Sequence, residues 1–115
     1  MPRFVILEHD HPTLHWDLML EAGDVLQTWR LAQPPEGTTG QIAATALADH
    51  RLLYLDYEGP ISGHRGSVRR WDKGTYVIEN ESTAEVLLTF NGSLLRGRAK
   101  LWQSEKEGWR FEVTP

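Results

Sequence analysis

Three side chains near the start of the chain are of types that bind divalent cations. In a predicted strand, His15 and Asp17 alternate with apolar residues, so both side chains lie on one face of an extended segment. An imidazole and a carboxylate placed in this way can share one cation, and His9 is the third candidate ligand, with His11 as its competitor. A solvated polar face without an ion explains the same alternation, and the spacing alone leaves both interpretations open.

The opposite face of that strand is apolar. It carries Leu14, Trp16, Leu18 and Leu20, and we expect Trp16 to lie in the protein interior. Met19 shares the polar face with the histidine and the carboxylate.

A second polar face follows in the predicted strand 51–57 and the residue before it. His50, Tyr54 and Asp56 share one parity there. His50 is a candidate phosphate donor or general acid, and the Tyr54 hydroxyl is a candidate hydrogen-bond donor to a non-bridging phosphate oxygen. The alternative is a surface tyrosine whose ring covers apolar atoms while its hydroxyl meets water.

Two groups of cations are candidates for anion binding. Arg65 lies in the glycine-rich loop 59–66, where backbone amides can also contact an anion. Arg96, Arg98 and Lys100 alternate along one predicted strand and could follow a phosphate backbone. Solvated charge on an edge strand, which opposes aggregation, is the favoured explanation of that stripe.

The composition is typical of one folded globular domain, which we expect to span residues 1–115. The chain has 115 residues, of which 40% are hydrophobic and 24% are charged. The absence of cysteine excludes disulfides, thiolate nucleophiles and cysteine-ligated zinc, so a metal must use imidazole, carboxylate or water. The net charge of -4 argues against broad affinity for nucleic acid but allows one local site for a nucleic-acid end.

Short alternating or apolar segments, separated by glycine and proline, predict an all-β fold, either a barrel or a sandwich. Predicted turns lie at residues 21–24, 72–74 and 91–92, and the segment 41–49 fits a helix or a strand. The predicted strands are 3–8, 13–21, 25–31, 51–57, 67–71, 75–79, 84–90, 93–103 and 108–113.

With no secretory signal or membrane-spanning stretch in the sequence, we expect a cytoplasmic protein that does not contact membranes.

The same residues resemble a known family. Residues similar to the 3′-phosphoesterase module of bacterial DNA ligase D are 4–9, 14–21 and 71–74, together with Asp49, His50, Tyr54, Glu58 and Gly59, and the similarity continues to residues 94–97. This resemblance implies a single compact β-barrel, mostly antiparallel and with little helix. It also implies a manganese-dependent enzyme that removes phosphates and ribonucleotides from 3′ ends.

The resemblance assigns roles to individual residues. It implies that His9, His15 and Asp17 bind the metal, which is Mn²⁺ or otherwise Zn²⁺ or another divalent cation, and that His50 and Tyr54 contact the scissile phosphate.

The chain also departs from the family. Met19 replaces an arginine that binds the phosphate, and Ala48 replaces an acidic residue. We expect Arg65, rather than Arg51, to compensate for the missing arginine.

We expect a free-standing relative, without the basic N-terminal segment and the ligase and polymerase modules of ligase D. Its predicted partners are the 3′ end of DNA or RNA and a separate ligase or polymerase. The predicted function is 3′-end processing in DNA repair, and the alternative is a non-catalytic module that binds a metal or a phosphate to recognise ends or recruit a repair partner. A plain structural domain is the third possibility.

Overall fold

Nine strands and one turn of 3₁₀ helix form the regular structure of residues 1–36, 40–106 and 108–114, the part of the chain that the computed structural model describes. Within this part, no helix is long and apolar enough to cross a bilayer. The 3₁₀ helix spans Leu52–Leu55, and the strands are β1 (Arg3–His9), β2 (His15–Ala22), β3 (Val25–Leu31), β4 (Ile42–Arg51), β5 (Gly59–Pro60), β6 (Ser67–Glu81), β7 (Glu85–Gly92), β8 (Arg96–Ser104) and β9 (Gly108–Val113).

Eight of these strands close into one antiparallel barrel. Their order is β1, β2, β3, β4, β9, β8, β7 and β6, and β6 pairs with β1 to complete the ring. The two-residue strand β5 pairs with the start of β6. The structure confirms the predicted all-β barrel, and the ambiguous segment 41–49 belongs to β4.

Alternate apolar residues of the strands fill the barrel interior. From β2, Leu18 and Leu20 are fully buried there, and Trp16 packs against them while remaining partly exposed. Leu14 precedes β2 and is 54% exposed, so its predicted place on the same apolar face was wrong. The face assignment of the strand itself is correct.

A second apolar cluster covers the outer face of β1 and β2. Val5, Leu7 and Met19 belong to it, and the 3₁₀ helix contributes Leu55. These two strands are therefore buried on both faces. Polar side chains that share the face of Met19 lie in a shielded environment, which strengthens their electrostatic interactions.

The structure corrects the prediction of two strands separated by a turn at residues 72–74. β6 runs through this segment without interruption. Gly74 is needed there because β7 approaches it closely: a Cβ atom at this position would lie 2.1 Å from the Asn91 carbonyl oxygen. A close strand contact, rather than a turn, explains the glycine.

The hairpin turn predicted at Asn91-Gly92 begins two residues farther along the chain. Both residues belong to β7, and the turn spans residues 93–95. The buried Asp72 carboxylate accepts hydrogen bonds from the backbone N–H groups of all three turn residues, at 2.7–3.1 Å. A contact between distant parts of the chain thus places this turn.

The predicted turn at residues 21–24 is confirmed. Ala22 and Val25 are paired in the β2–β3 hairpin, and Gly23 has a φ of 67°. This hairpin sets the alignment of β2 with β3.

Tyr76 makes the stability of the barrel sensitive to alkaline pH. Its side chain is 4% exposed, its hydroxyl donates a hydrogen bond of 2.6 Å to the Glu21 carbonyl, and burial raises the pKa of the phenol. The folded protein therefore holds this proton more tightly than the unfolded chain, and stability should fall as the pH rises past about 10. Tyr76→Phe should flatten that fall in urea unfolding measured from pH 7 to 11, at a cost of about 1 kcal/mol at neutral pH. An unchanged alkaline slope would contradict this prediction.

Candidate metal and phosphate site

The register of the β1–β2 hairpin brings the three predicted metal ligands together. His9 is paired with His15, and Leu7 is paired with Asp17, so the two imidazoles and the carboxylate lie on one face. The ring centroids of the two histidines are 4.8 Å apart. One ligand atom from each of His9, His15 and Asp17 lies within 4.8 Å of the other two.

Hydrogen bonds to backbone carbonyls orient both imidazoles. His15 Nδ1 is 2.8 Å from the Thr13 carbonyl oxygen, and His9 Nε2 is 2.9 Å from the Arg65 carbonyl oxygen. Because a carbonyl only accepts, each of these nitrogens carries the proton and donates. The lone pairs of the neutral rings are then on His15 Nε2 and His9 Nδ1, the two nitrogens that face Asp17.

Two of the facing atoms, His15 Nε2 and Asp17 Oδ1, are buried and lack hydrogen-bond partners among the described residues. His15 and Asp17 are 3% and 4% exposed, and neither His15 Nε2 nor Asp17 Oδ1 has a partner among the described residues. Asp17 Oδ1 is 3.3 Å from His15 Nε2, and Asp17 Oδ2 is 3.8 Å from His9 Nδ1. Lone pairs that converge in a buried space call for a cation between them, so the donor set fits a divalent metal ion.

His50 and Tyr54 lie on the same cavity as this cluster. The cavity has a volume of about 400 Å³ and is lined by both residues and by His9 and Asp17. The His50 and Tyr54 ring centroids are 5.9 Å apart, and the Ala48 carbonyl accepts a hydrogen bond of 2.9 Å from His50 Nδ1. The structure thus brings together the five residues named for metal and phosphate contacts.

The local structure that positions His50 and Tyr54 differs from the predicted strand 51–57. β4 ends at Arg51, and one extra β4 residue bulges out opposite β3 just before His50. The 3₁₀ helix then returns the chain so that Tyr54 faces His50, whereas a regular strand would place them far apart.

Asp56 has no part in the cavity. Its carboxylate forms an exposed ion pair with Arg3 at 2.8 Å, and this hydrogen bond lowers the pKa of Asp56. Its predicted grouping with His50 and Tyr54 was wrong, because the strand on which that grouping depended is absent.

Arg65 borders the cavity, but its guanidinium is already bonded. Its Nε donates to the Ser62 carbonyl at 2.7 Å, and its terminal nitrogen donates to the Ser62 hydroxyl at 3.3 Å. Its own carbonyl fixes His9, so the residue contributes to the site through its backbone. Its predicted phosphate contact stays a prediction.

The two alternative candidates lie outside the cluster. His11 lines the cavity, but its exposed ring is 6.5 Å from that of His9 and it is not part of the three-residue group. Arg51 is exposed at the end of β4 and is not among the residues that line the cavity.

Sequence reasoning missed Arg30, which also lines the cavity. This β3 residue is paired directly with Asp17 and is partly buried. The signal was present in the sequence: the turn at residues 21–24 aligns β2 with β3 and puts residues 17 and 30 opposite each other.

The basic stripe on β8 lies on a strand that is paired on both sides, with β7 and with β9. The edge-strand explanation is therefore wrong. Lys100 forms an ion pair with Glu85 at 3.3 Å and lies 4.9 Å from the centre of the Trp102 ring. Local charge pairing explains at least this member of the stripe.

The sequence of the chain is similar to those of known proteins. The LigD protein of Mycobacterium tuberculosis, described as a multifunctional non-homologous end joining DNA repair protein, is 35% identical over 114 residues that cover 92% of this chain. The LigD proteins of Mycolicibacterium smegmatis and Pseudomonas aeruginosa are each 31% identical and cover 93% and 92% of it. The chain spans 14–16% of the length of these relatives. Residues 7–103 match the family described as "DNA Ligase D 3'-phosphoesterase domain". The chain therefore belongs to the family of DNA ligase D 3′-phosphoesterase domains.

Proposed function

We propose that this chain is a metal-dependent phosphoesterase that acts on 3′ ends of nucleic acid and removes a 3′-phosphate or a 3′-terminal ribonucleotide during DNA repair. One observation carries the proposal: His15 Nε2 and Asp17 Oδ1 are buried without hydrogen-bond partners beside a cavity that also holds His50 and Tyr54. A phosphate monoester bound in the cavity would lie next to both groups of residues.

The metal would be held by His9 Nδ1, His15 Nε2 and the Asp17 carboxylate. A set of two imidazoles and one carboxylate suits Mn²⁺, and it also suits Zn²⁺ or another divalent cation. When bound, such a cation stabilises the negative charge that develops on the phosphoryl oxygens. The carbonyls of Thr13 and Arg65 keep the two rings in the tautomer that this binding requires.

For a 3′-phosphate, a water oxygen attacks phosphorus and the bond between phosphorus and the 3′ oxygen breaks. The 3′ oxygen takes up one proton from His50, and one proton of the attacking water is released to solvent, from which His50 is protonated again, so the products are a 3′-hydroxyl and inorganic phosphate. His50 is the proton donor in this proposal: with Nδ1 held by the Ala48 carbonyl, Nε2 is the nitrogen left to transfer a proton. Tyr54 donates a hydrogen bond to a non-bridging oxygen.

Part of the cavity wall is apolar. It contains Leu7, Met19, Leu47, Ile61 and Val68. An apolar wall lowers the local dielectric constant, which strengthens each hydrogen bond and ion contact to the phosphate.

A primer-template DNA with a 3′-phosphate tests the proposal. The purified protein should release inorganic phosphate and leave a 3′-hydroxyl in the presence of Mn²⁺, and a chelator should stop the reaction. No product at high protein concentration would contradict the enzymatic proposal. Saturable binding of the same end without product would identify the non-catalytic end-binding module instead.

His50→Ala should separate chemistry from metal binding. Loss of the proton donor should lower kcat by about 100-fold or more, while Mn²⁺ affinity stays within about twofold, because His50 is not part of the three-residue cluster. Steady-state kinetics and calorimetric Mn²⁺ titration measure the two quantities. His11→Ala is the matched control, since His11 lines the same cavity, and it should behave as wild type. Equal losses of turnover and metal affinity in His50→Ala would mean that its role is wrongly assigned.

A further inference from the structure

Arg30 brings a permanent positive charge to the wall of the candidate site. It is paired with Asp17 across β2 and β3, and directly paired residues lie on the same face of a sheet. Its side chain lines the 400 Å³ cavity together with His9, His50 and Tyr54. Arg30 therefore borders the space where the phosphate of the proposed reaction would lie.

Among the described residues, no acidic side chain forms an ion pair with Arg30. Its Nε is buried without a hydrogen-bond partner, and among the described residues no carboxylate oxygen lies within 4.0 Å of its nitrogens. The short contacts of Asp17 are to His9 and His15 instead. A guanidinium stays charged at all ordinary pH values, so a partly buried one without an anion is costly to maintain.

A second cavity that Arg30 borders supplies no anion either. Its volume is about 330 Å³, and its described lining consists of Thr13, Leu14, His15, Ala32, Ala43 and Thr45 besides Arg30 itself. None of these described lining residues carries a carboxylate. The Arg30 guanidinium is therefore available to bind an anion that enters from solution.

Two other residues expected near the phosphate are less suited to bind it. Met19 is 1% exposed and packs in the second apolar cluster. The guanidinium of Arg65 is bonded to Ser62 through two of its nitrogens. Arg30 is the cavity arginine whose donors are free of such contacts within the described residues.

We propose that Arg30 binds the phosphoryl oxygens of the substrate and so replaces, from the neighbouring strand β3, a cation that position 19 on β2 does not provide. The planar guanidinium can form two parallel hydrogen bonds to a phosphate. This assignment rests on the proposed function for its substrate, but phosphate binding tests it independently of turnover.

Calorimetric titration with inorganic phosphate is the test, carried out on chelator-treated protein and on protein with saturating Mn²⁺. The wild type is compared with the variant in the metal-free state, the Mn²⁺-bound state or both, according to where the wild type binds phosphate. In that state Arg30→Gln should weaken phosphate binding by about 10- to 100-fold, which is the usual contribution of a charge-assisted pair of hydrogen bonds to affinity. Arg30→Lys should keep part of the phosphate affinity because it retains the positive charge. It should not keep all of it, because lysine lacks the planar pair of N–H donors. Arg65→Gln tests the competing assignment in the same cavity: a change in phosphate binding of less than about threefold would assign the contact to Arg30 and dispose of the one expected of Arg65.

Two further measurements complete the design. Calorimetric Mn²⁺ affinity should be the same in Arg30→Gln as in wild type, and circular dichroism with thermal unfolding checks that each variant is folded. Wild-type phosphate binding in Arg30→Gln, a loss in Arg65→Gln as large as that in Arg30→Gln, or no saturable binding by the wild type in either state would overturn the assignment. Phosphate binding that depends on Arg30 in a protein without turnover would refute the proposed enzyme and keep the phosphate site.

Discussion

Asp17→Asn should weaken Mn²⁺ binding by more than about 100-fold and abolish turnover at ordinary metal concentrations. Asp17 supplies the one carboxylate of the cluster and faces both imidazoles, at 3.3 Å and 3.8 Å. Loss of an outer hydrogen-bond partner of a metal ligand alone costs about 10- to 100-fold, so replacement of a charged ligand by a neutral amide should cost more. Calorimetric titration with Mn²⁺ measures the affinity.

The stability of the metal-free variant separates a lost ligand from a lost fold. A buried carboxylate oxygen without a hydrogen-bond partner is unfavourable, so metal-free Asp17→Asn should unfold at the same temperature as wild type or a higher one. Wild type should gain about 2.7 kcal/mol when Mn²⁺ is present at 100 times its Kd, and the variant should gain less than about 0.4 kcal/mol at the same Mn²⁺ concentration.

The matched pair His9→Ala and His11→Ala addresses the choice between two neighbouring histidines. The first should lose Mn²⁺ affinity and the second should keep it, because only His9 belongs to the cluster. Full Mn²⁺ affinity in Asp17→Asn, or a greater loss in His11→Ala than in His9→Ala, would contradict the assigned ligands.

Phe90→Ala should destabilise the barrel by about 3–5 kcal/mol. The ring is 2% exposed, and its centroid lies 4.9 Å from that of Phe4 and 6.1 Å from that of Phe111. Removing it deletes a large apolar group and leaves a cavity among neighbours held by closed strands. Because domains of this kind have about 5–15 kcal/mol of stability in total, the loss should move the urea midpoint strongly.

Leu94→Ala is the control for this experiment. Leu94 is 62% exposed in the turn after β7, so its truncation should change the free energy of unfolding by less than about 0.5 kcal/mol. A loss below about 1 kcal/mol in Phe90→Ala, or similar losses in the two variants, would mean that the barrel interior is wrongly described.

The metal cluster could be anticipated from sequence because its geometry is local. Strand alternation places His15 and Asp17 on one face, and a hairpin that returns near residue 12 brings His9 beside them. Their burial was not predictable in this way. It arises from the second apolar cluster, in which Leu55 and Val68 come from distant parts of the chain.

The structure around His50 was misread because a short apolar run does not reveal its own conformation. Residues 52–55 are Leu-Leu-Tyr-Leu, which suits a buried strand or a buried helical turn equally well. Packing on the outer face of β1 and β2 selects the 3₁₀ turn. His50 and Tyr54 were grouped correctly from the sequence, but for the wrong structural reason.

The β6–β7–β8 region shows why turn signals can mislead. Asn91-Gly92 and Asp72 to Gly74 carry typical turn residues, yet both segments are strand. Asp72 and Gly92 are in contact across the fold: a Cβ atom at Gly92 would lie 2.4 Å from Asp72 Oδ2. These residue types serve that long-range contact, which local patterns do not record.

The account depends most on one cation held between β1 and β2. Anomalous diffraction at the manganese edge, from crystals soaked in Mn²⁺, tests this most directly. We expect one strong peak within about 2.0–2.3 Å of His9 Nδ1, His15 Nε2 and an Asp17 carboxylate oxygen, as in other imidazole and carboxylate sites. A peak bound elsewhere on the barrel, or none between these three side chains at saturating Mn²⁺, would contradict the account.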